Sequence, residues 1–126
     1  MGYTFPNVRD AFYALIPQAV DGVTPYFQLT IDFADRLPAA LIYRVGGSES
    51  GTFREDRIAV DVYANGSTAA NEVAEQVRAF LADSWHEVDG ALLDSVDVEV
   101  VPTEIPYMSD TVNVVSATYR VATRAA

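Results

Sequence analysis

The 126-residue sequence contains no cysteine, no lysine and a single histidine, His86. Without cysteine the chain cannot form a disulfide, a thiolate metal site or a thiol nucleophile. A metal centre needs several converging ligands, and His86 has no second histidine or cysteine to join it. We therefore expect neither a metal nor a cofactor, and we expect His86 to lie in an exposed loop.

Positive charge is also scarce. Eight arginines face 18 acidic residues, which gives a formal net charge of −10. A protein that binds nucleic acid needs a basic face to neutralise phosphates, and this composition does not supply one. The sequence lacks the run of about 20 apolar residues that a membrane span requires. Its first ten residues also lack the basic and apolar regions of a secretory signal. We expect no specific nucleic-acid binding and no association with a membrane.

Two segments repeat apolar residues at helical spacing. The first covers residues 7–16, where Asn7 can cap the free amides of the first turn. The second covers residues 68–82 and carries Val73 and Val77 on one side, as an amphipathic helix packed on a sheet would.

Five further segments have the alternation or the apolar content typical of strands. They are residues 27–33, 40–45, 57–64, 92–101 and 111–123. The apolar register of the last segment shifts near Val114 and Val115, which predicts a β-bulge. The order predicts a single α+β domain, residues 1–126, in which two helices cover an antiparallel or mixed sheet of about five strands. The elements follow one another as helix, three strands, helix and two strands.

Glycine, serine and proline predict loops over residues 46–56 and 102–110. The first loop is rich in glycine but lacks the lysine of a phosphate-binding loop and does not lead into a helix. Asp97 and Glu99 share one face of a predicted strand, and the alternation places that face in solvent. Acid–base catalysis would need one of them buried. We therefore predict no catalytic residue and no enzymatic activity.

Several local sequence features are informative through their order and spacing along the chain. Leu37-Pro38 leads into a strand that ends at Val45-Gly46-Gly47, and residues 58–64 form the next strand. A helix with Ala69, Ala70, Ala74 and Val77 follows, and a closing strand contains Ala117-Thr118-Tyr119-Arg120. In this order and spacing, residues 7–124 resemble the tail terminator proteins of long-tailed bacteriophages, also called minor tail or tail completion proteins.

The resemblance implies a structural role in the virion. Tail terminators form hexameric rings at the head-proximal end of the tail tube, where they stop tube polymerisation and join the tail to the neck. The implied partners are further copies of the chain, the tail tube protein and a head–tail stopper or neck protein. Viral DNA would pass through the ring without specific binding. The protein would be made in the host cytoplasm and would reside at the tail–neck junction.

The two predicted loops are our candidates for contacts with neighbouring subunits or the adjoining ring. An exposed aromatic residue and a methionine in a loop suit an interface. The candidate residues are Gly47, Ser48, Glu49, Phe53, Arg54, Tyr107 and Met108.

Three alternative functions stay open at this point. The chain could be another joint of the virion, such as a head–tail stopper or connector. It could be a binding module or inhibitor unconnected with virions, which a monomeric state at high concentration would favour. It could be a carboxylate-based hydrolase, which would require a deep pocket that holds two carboxylates with shifted pKa values.

Overall fold

The computed structural model describes residues 3–125. Residues 1, 2 and 126 of the predicted domain lie outside the described residues. The helices are α1 (Val8–Ala19) and α2 (Ser67–Leu81), and one 3-10 turn spans Phe33–Arg36. The strands are β1 (Thr24–Tyr26), β2 (Ala39–Ser50), β3 (Phe53–Asn65), β4 (Ser84–Val88), β5 (Ala91–Ile105) and β6 (Val112–Arg124).

The described strands form one six-stranded sheet in the order β1-β2-β3-β6-β5-β4. β1 pairs with β2 in parallel, and every other neighbouring pair is antiparallel. The predicted α+β class, the two helices and the mixed sheet are therefore confirmed. The predicted element order is wrong, because a third strand follows the second helix.

Both helices pack on one face of the sheet. Asn7 caps α1 by accepting a hydrogen bond from the Asp10 amide at 3.2 Å. α1 continues past its predicted end to Ala19 and includes Pro17, which has no amide hydrogen to donate within the helix. α2 matches its prediction to within one residue at each end, although its N-cap is Gly66 without a side-chain cap.

The main core lies between the helices and the sheet. α1 contributes Phe12, whose ring meets Tyr119 of β6 edge to face at 5.9 Å. α2 contributes Val77 and Leu81, which are fully buried on the same strands. Apolar burial of this kind is the main term that holds the helices on the sheet.

The predicted strand over residues 27–33 is wrong. The chain pairs only over β1, just before this segment, and then crosses the second face of the sheet in bends and a 3-10 turn. Leu29 and Phe33 pack there against Tyr63 and Val114, whereas Ile31 is fully exposed. The alternation arises because some of these apolar residues are buried against a face of the sheet. Such packing does not require the segment to pair as a strand.

The strand β4 is absent from the prediction, which placed His86 in an exposed loop. β4 pairs with the first part of β5, and His86 is half-buried. The His86 Nε2 atom lies 3.1 Å from the carbonyl oxygen of Leu81, and its ring contacts Phe80. These five residues form a strand because they pair with β5. Their own sequence has no apolar alternation that would predict one.

The predicted bulge near Val114 and Val115 is also wrong. β6 pairs with β3 without interruption along its whole length. The register instead shifts in β5, between Val98 and Val100 and again before Thr103. β5 accommodates the extra residues because only one side of this part of the strand is paired, so a bulge there disrupts a single ladder.

Candidate assembly surfaces

The predicted loop over residues 46–56 is wrong, because this segment is the end of a β-hairpin. β2 and β3 stay paired as far as Ser50 and Phe53, which flank a two-residue turn. At Gly47 the strands approach so closely that a Cβ atom would collide with the carbonyl oxygen of Glu55. Glycine is required here by close packing of the two backbones, and the backbone ladder forms despite the low strand propensity of the side chains.

The candidate residues of the hairpin lie together at one end of the sheet. Phe53 is largely exposed, and the neighbouring Arg54 guanidinium lies over the Phe5 ring at 5.1 Å. Arg54 also pairs with Glu49 across the hairpin at 3.3 Å. Ser48 is exposed beside them.

Tyr107 and Met108 lie at the opposite end of the strands, in the connection between β5 and β6. Part of the predicted loop is strand, since β5 runs on to Ile105. The Tyr107 ring packs edge to face on Tyr63 at 5.5 Å, whereas Met108 is fully exposed. The structure therefore places the seven candidate residues in two separate groups. Their role in an interface stays a prediction.

Sequence reasoning missed the two borders of the sheet. β1 pairs only with Ala39–Leu41, so residues 42–50 of β2 have no strand on their outer side within residues 3–125. At the other border β4 covers β5 only as far as Val96, so residues 97–105 have no outer partner within the same described range. In each of these nine-residue segments, seven residues are exposed. We call these segments the β2 edge and the β5 edge.

Both edges carry exposed apolar side chains. The side chains of Tyr43 and Val45 are 37% and 42% exposed on the β2 edge. On the β5 edge, Val100 is 46% exposed, and Val101 and Ile105 are exposed as well. Free strand edges with apolar side chains are templates for pairing with another chain. A signal in the sequence was the placement of β-branched residues directly beside glycine or proline, at Val45 and Val101.

Two aspartates are buried, but they lie on opposite faces of the sheet. Asp61 accepts hydrogen bonds from the hydroxyls of Tyr43 at 3.1 Å and Ser116 at 2.5 Å. Burial, followed by the charge of Asp61, raises the pKa of Tyr43. Asp56 faces the helices and accepts from Arg44 Nε at 2.7 Å. With the sheet between them, the two carboxylates cannot act on one substrate.

The predicted solvent face with Asp97 and Glu99 contains an ion pair between strands. Arg57 donates to both carboxylate oxygens of Glu99, at 3.0 and 2.8 Å from Nε. These hydrogen bonds hold the pKa of Glu99 below its usual range. Asp97 lies opposite Arg120 of β6. The ion pair favours the charged form of Glu99 and ties β5 to β3.

A groove with a volume of about 430 Å³ lies between the N-terminal segment and the hairpin. Its charged lining consists of Arg9, Arg44, Arg54 and Asp56. The carboxylate of Asp56 is already bound by Arg44, and each of the other two arginines lies within 3.4 Å of an acidic neighbour.

Among residues 3–125 no three histidine, aspartate or glutamate side chains converge as metal ligands would. Neither helix within this range is long and apolar enough to cross a membrane. A search of known protein families and of curated proteins finds no match for the chain.

Proposed function

We propose that this chain is the subunit of a closed ring that acts as a phage tail terminator. The ring would cap the head-proximal end of the tail tube, stop its polymerisation and join the tail to the neck. The observation that carries the proposal is the pair of unlike, exposed edges at the two borders of the sheet. A cyclic assembly requires each subunit to present two different surfaces that fit one another.

The place of the ring in the virion rests on the sequence resemblance over residues 7–124. The two groups of candidate contact residues fit that place, because they lie at opposite ends of the strands. Phe53 and Arg54 mark the hairpin end, and Tyr107 and Met108 mark the other end. We propose that one group faces the tail tube protein and the other faces the stopper or neck protein.

The charge of the chain supports passage of DNA without binding. Each subunit carries a net charge of −10, so six copies form a strongly acidic ring. A wall of this sign repels phosphates and leaves DNA free to slide through the lumen. This proposal places the protein at the tail–neck junction of the virion, after synthesis in the host cytoplasm.

The test is the mass of the purified protein, measured alone and after mixing with assembled tail tubes of a long-tailed bacteriophage. We expect a ring, either in solution or on the tube end, and we expect added protein to halt tube growth. A chain that stays monomeric in both conditions and leaves tube growth unchanged would contradict the proposal. A ring that binds the neck protein but not the tube would identify a stopper or connector instead.

A further inference from the structure

Residues of the β2 edge and residues of the β5 edge lie in the same rows of paired residues across the sheet. Tyr43 pairs with Ala59, Ala59 with Thr118, and Thr118 with Val100. Residues paired across antiparallel strands share a face. Tyr43 and Val100 therefore lie in one row on the same face, at opposite borders of the sheet.

A second row has the same property. Gly46 pairs with Arg57, Arg57 with Arg120, and Arg120 with Asp97. A neighbouring copy placed beside the sheet without displacement along the strands would therefore set the β5 edge against the β2 edge, row for row. From β2 to β5 there are three antiparallel steps, so the two strands would meet antiparallel.

We propose that residues 42–46 of one copy pair with residues 97–101 of the next copy and continue the sheet from subunit to subunit. This inference rests on the proposed ring, and it names the backbone contact that closes it. Backbone hydrogen bonds would supply the attraction, and the side chains along each row would supply specificity.

The limits of this five-residue contact are visible in the fold. Above it, β1 occupies the border of β2 as far as Leu41. Below it, β4 occupies the border of β5 as far as Val96. Pro102 follows the contact on β5 and has no amide hydrogen to donate, which is a common way of ending an edge.

The side chains along the contact are complementary. Tyr43 would meet Val100, an aromatic and β-branched pair of the kind that stabilises adjacent strands. Within the contact, β5 contributes Asp97 and Glu99 and no basic residue, while β2 contributes Arg44 and no acidic residue. Arg44 already donates to Asp56 on the face that carries the helices, so its charge adds only a weak, long-range attraction to the acidic edge of a neighbour.

Because the chain has no cysteine, engineered pairs can test the contact directly. Within one copy Tyr43 and Val100 are separated by three strand spacings, about 14 Å, which no disulfide can bridge. We would prepare Tyr43→Cys and Val100→Cys as separate proteins, mix them in equal amounts, add tail tubes and oxidise. We expect the mixture to shift to the mass of a disulfide dimer, while either variant alone stays monomeric under denaturing conditions.

A second pair, Val45→Cys with Val98→Cys, which the proposed pairing sets opposite one another, keeps the test decisive if loss of the Tyr43 hydroxyl impairs folding. The matched control is Met108→Cys with Val100→Cys, in which both residues are exposed but do not share a row. We expect no disulfide dimer from the control.

The outcomes separate this inference from the proposed function. If the wild-type chain forms rings but neither mixture forms a disulfide, the edge contact is wrong and the ring stands. If Tyr43→Cys forms dimers by itself, two β2 edges meet about a two-fold axis, which contradicts the contact. If the wild-type chain forms no ring alone or on tubes, the proposed function fails and this inference fails with it.

Discussion

The middle of the sheet and its borders contain similar residues in very different surroundings. Tyr63 of β3 is 8% exposed, whereas Tyr43 of β2 is 37% exposed. Val60 of β3 is buried, and Val45 on the β2 edge is exposed. β3 has strands on both sides, the helices on one face and the segment after β1 on part of the other.

This difference indicates that stability depends on the middle of the sheet, whereas the proposed assembly would use the two edges. Burial in the middle supplies the apolar contacts that stabilise the chain. The β2 edge and the β5 edge are mostly exposed and have no strand on their outer side within residues 3–125. Substitutions can therefore be chosen that affect one property and spare the other.

The largest effect is expected for Val77→Asp in α2. Val77 is fully buried against the sheet, so the aspartate would place an unpaired charge in the core. We expect a loss of about 3 kcal/mol or more in the free energy of unfolding, measured by urea denaturation.

The matched control is the same substitution at the border, Val101→Asp. Because Val101 is 63% exposed, we expect its stability to stay within ~0.5 kcal/mol of wild type. Equal losses in the two variants would mean that middle and border are not energetically distinct.

A smaller loss is expected for Asp61→Ala. This substitution removes the carboxylate that accepts from Tyr43 and Ser116, and hydrogen bonds to a charged group contribute about 2 kcal/mol. The control is Asp97→Ala, which removes an exposed carboxylate on the same face and is denatured in the same way. If the denaturation midpoint of Asp61→Ala equals that of the wild type, the hydrogen bonds accepted by Asp61 do not stabilise the sheet.

Gly47→Ala tests the close approach of the two hairpin strands. The added Cβ would collide with the Glu55 carbonyl, and relieving the collision requires a backbone shift that costs roughly 1–2 kcal/mol. We expect faster hydrogen exchange of the amides in residues 46–56, with no change in the amides of the core. Ser48→Ala, one residue further along the hairpin, should leave both groups of amides at wild-type rates.

The smallest change in stability at neutral pH is expected for Tyr63→Phe. Its effect should be confined to alkaline pH. Burial, with the charge of Asp61, raises the pKa of Tyr63 to about 12, above the unfolded value near 10. The unfolded chain therefore loses this proton first, and the stability from neutral Tyr63 declines as the pH rises from 10 to 12. The decline amounts to at most ~3 kcal/mol.

We expect Tyr63→Phe to flatten the alkaline limb of a plot of stability against pH between pH 10 and 12. Tyr3→Phe, at an exposed position, should keep the wild-type slope. An unchanged slope in Tyr63→Phe would assign the alkaline loss to other tyrosines.

The elements that were predicted well are those whose signal is local. The periodicity of Val73 and Val77 placed α2, and Asn7 placed the start of α1. The strands β3 and β6 were also located, because buried central strands are apolar over several consecutive residues.

The elements that were mispredicted depend on contacts with distant parts of the chain. Residues 27–33 alternate like a strand but cover a sheet face. Residues 46–56 look like a loop, yet they pair because β6 provides a ladder along β3. The candidate contact residues in that segment were chosen for a flexible loop, and the structure places them in or beside a strand edge.

By itself the sequence determined the strong negative charge, the two helices and the α+β class, because composition and short-range periodicity record these properties directly. Only the tertiary structure decided which strands lie at the borders, which aspartates are buried and which tyrosine and valine share a row. Those properties arise from pairing between segments far apart in the chain, and the same short sequence fits a central strand, an edge or a loop until its neighbours are in place.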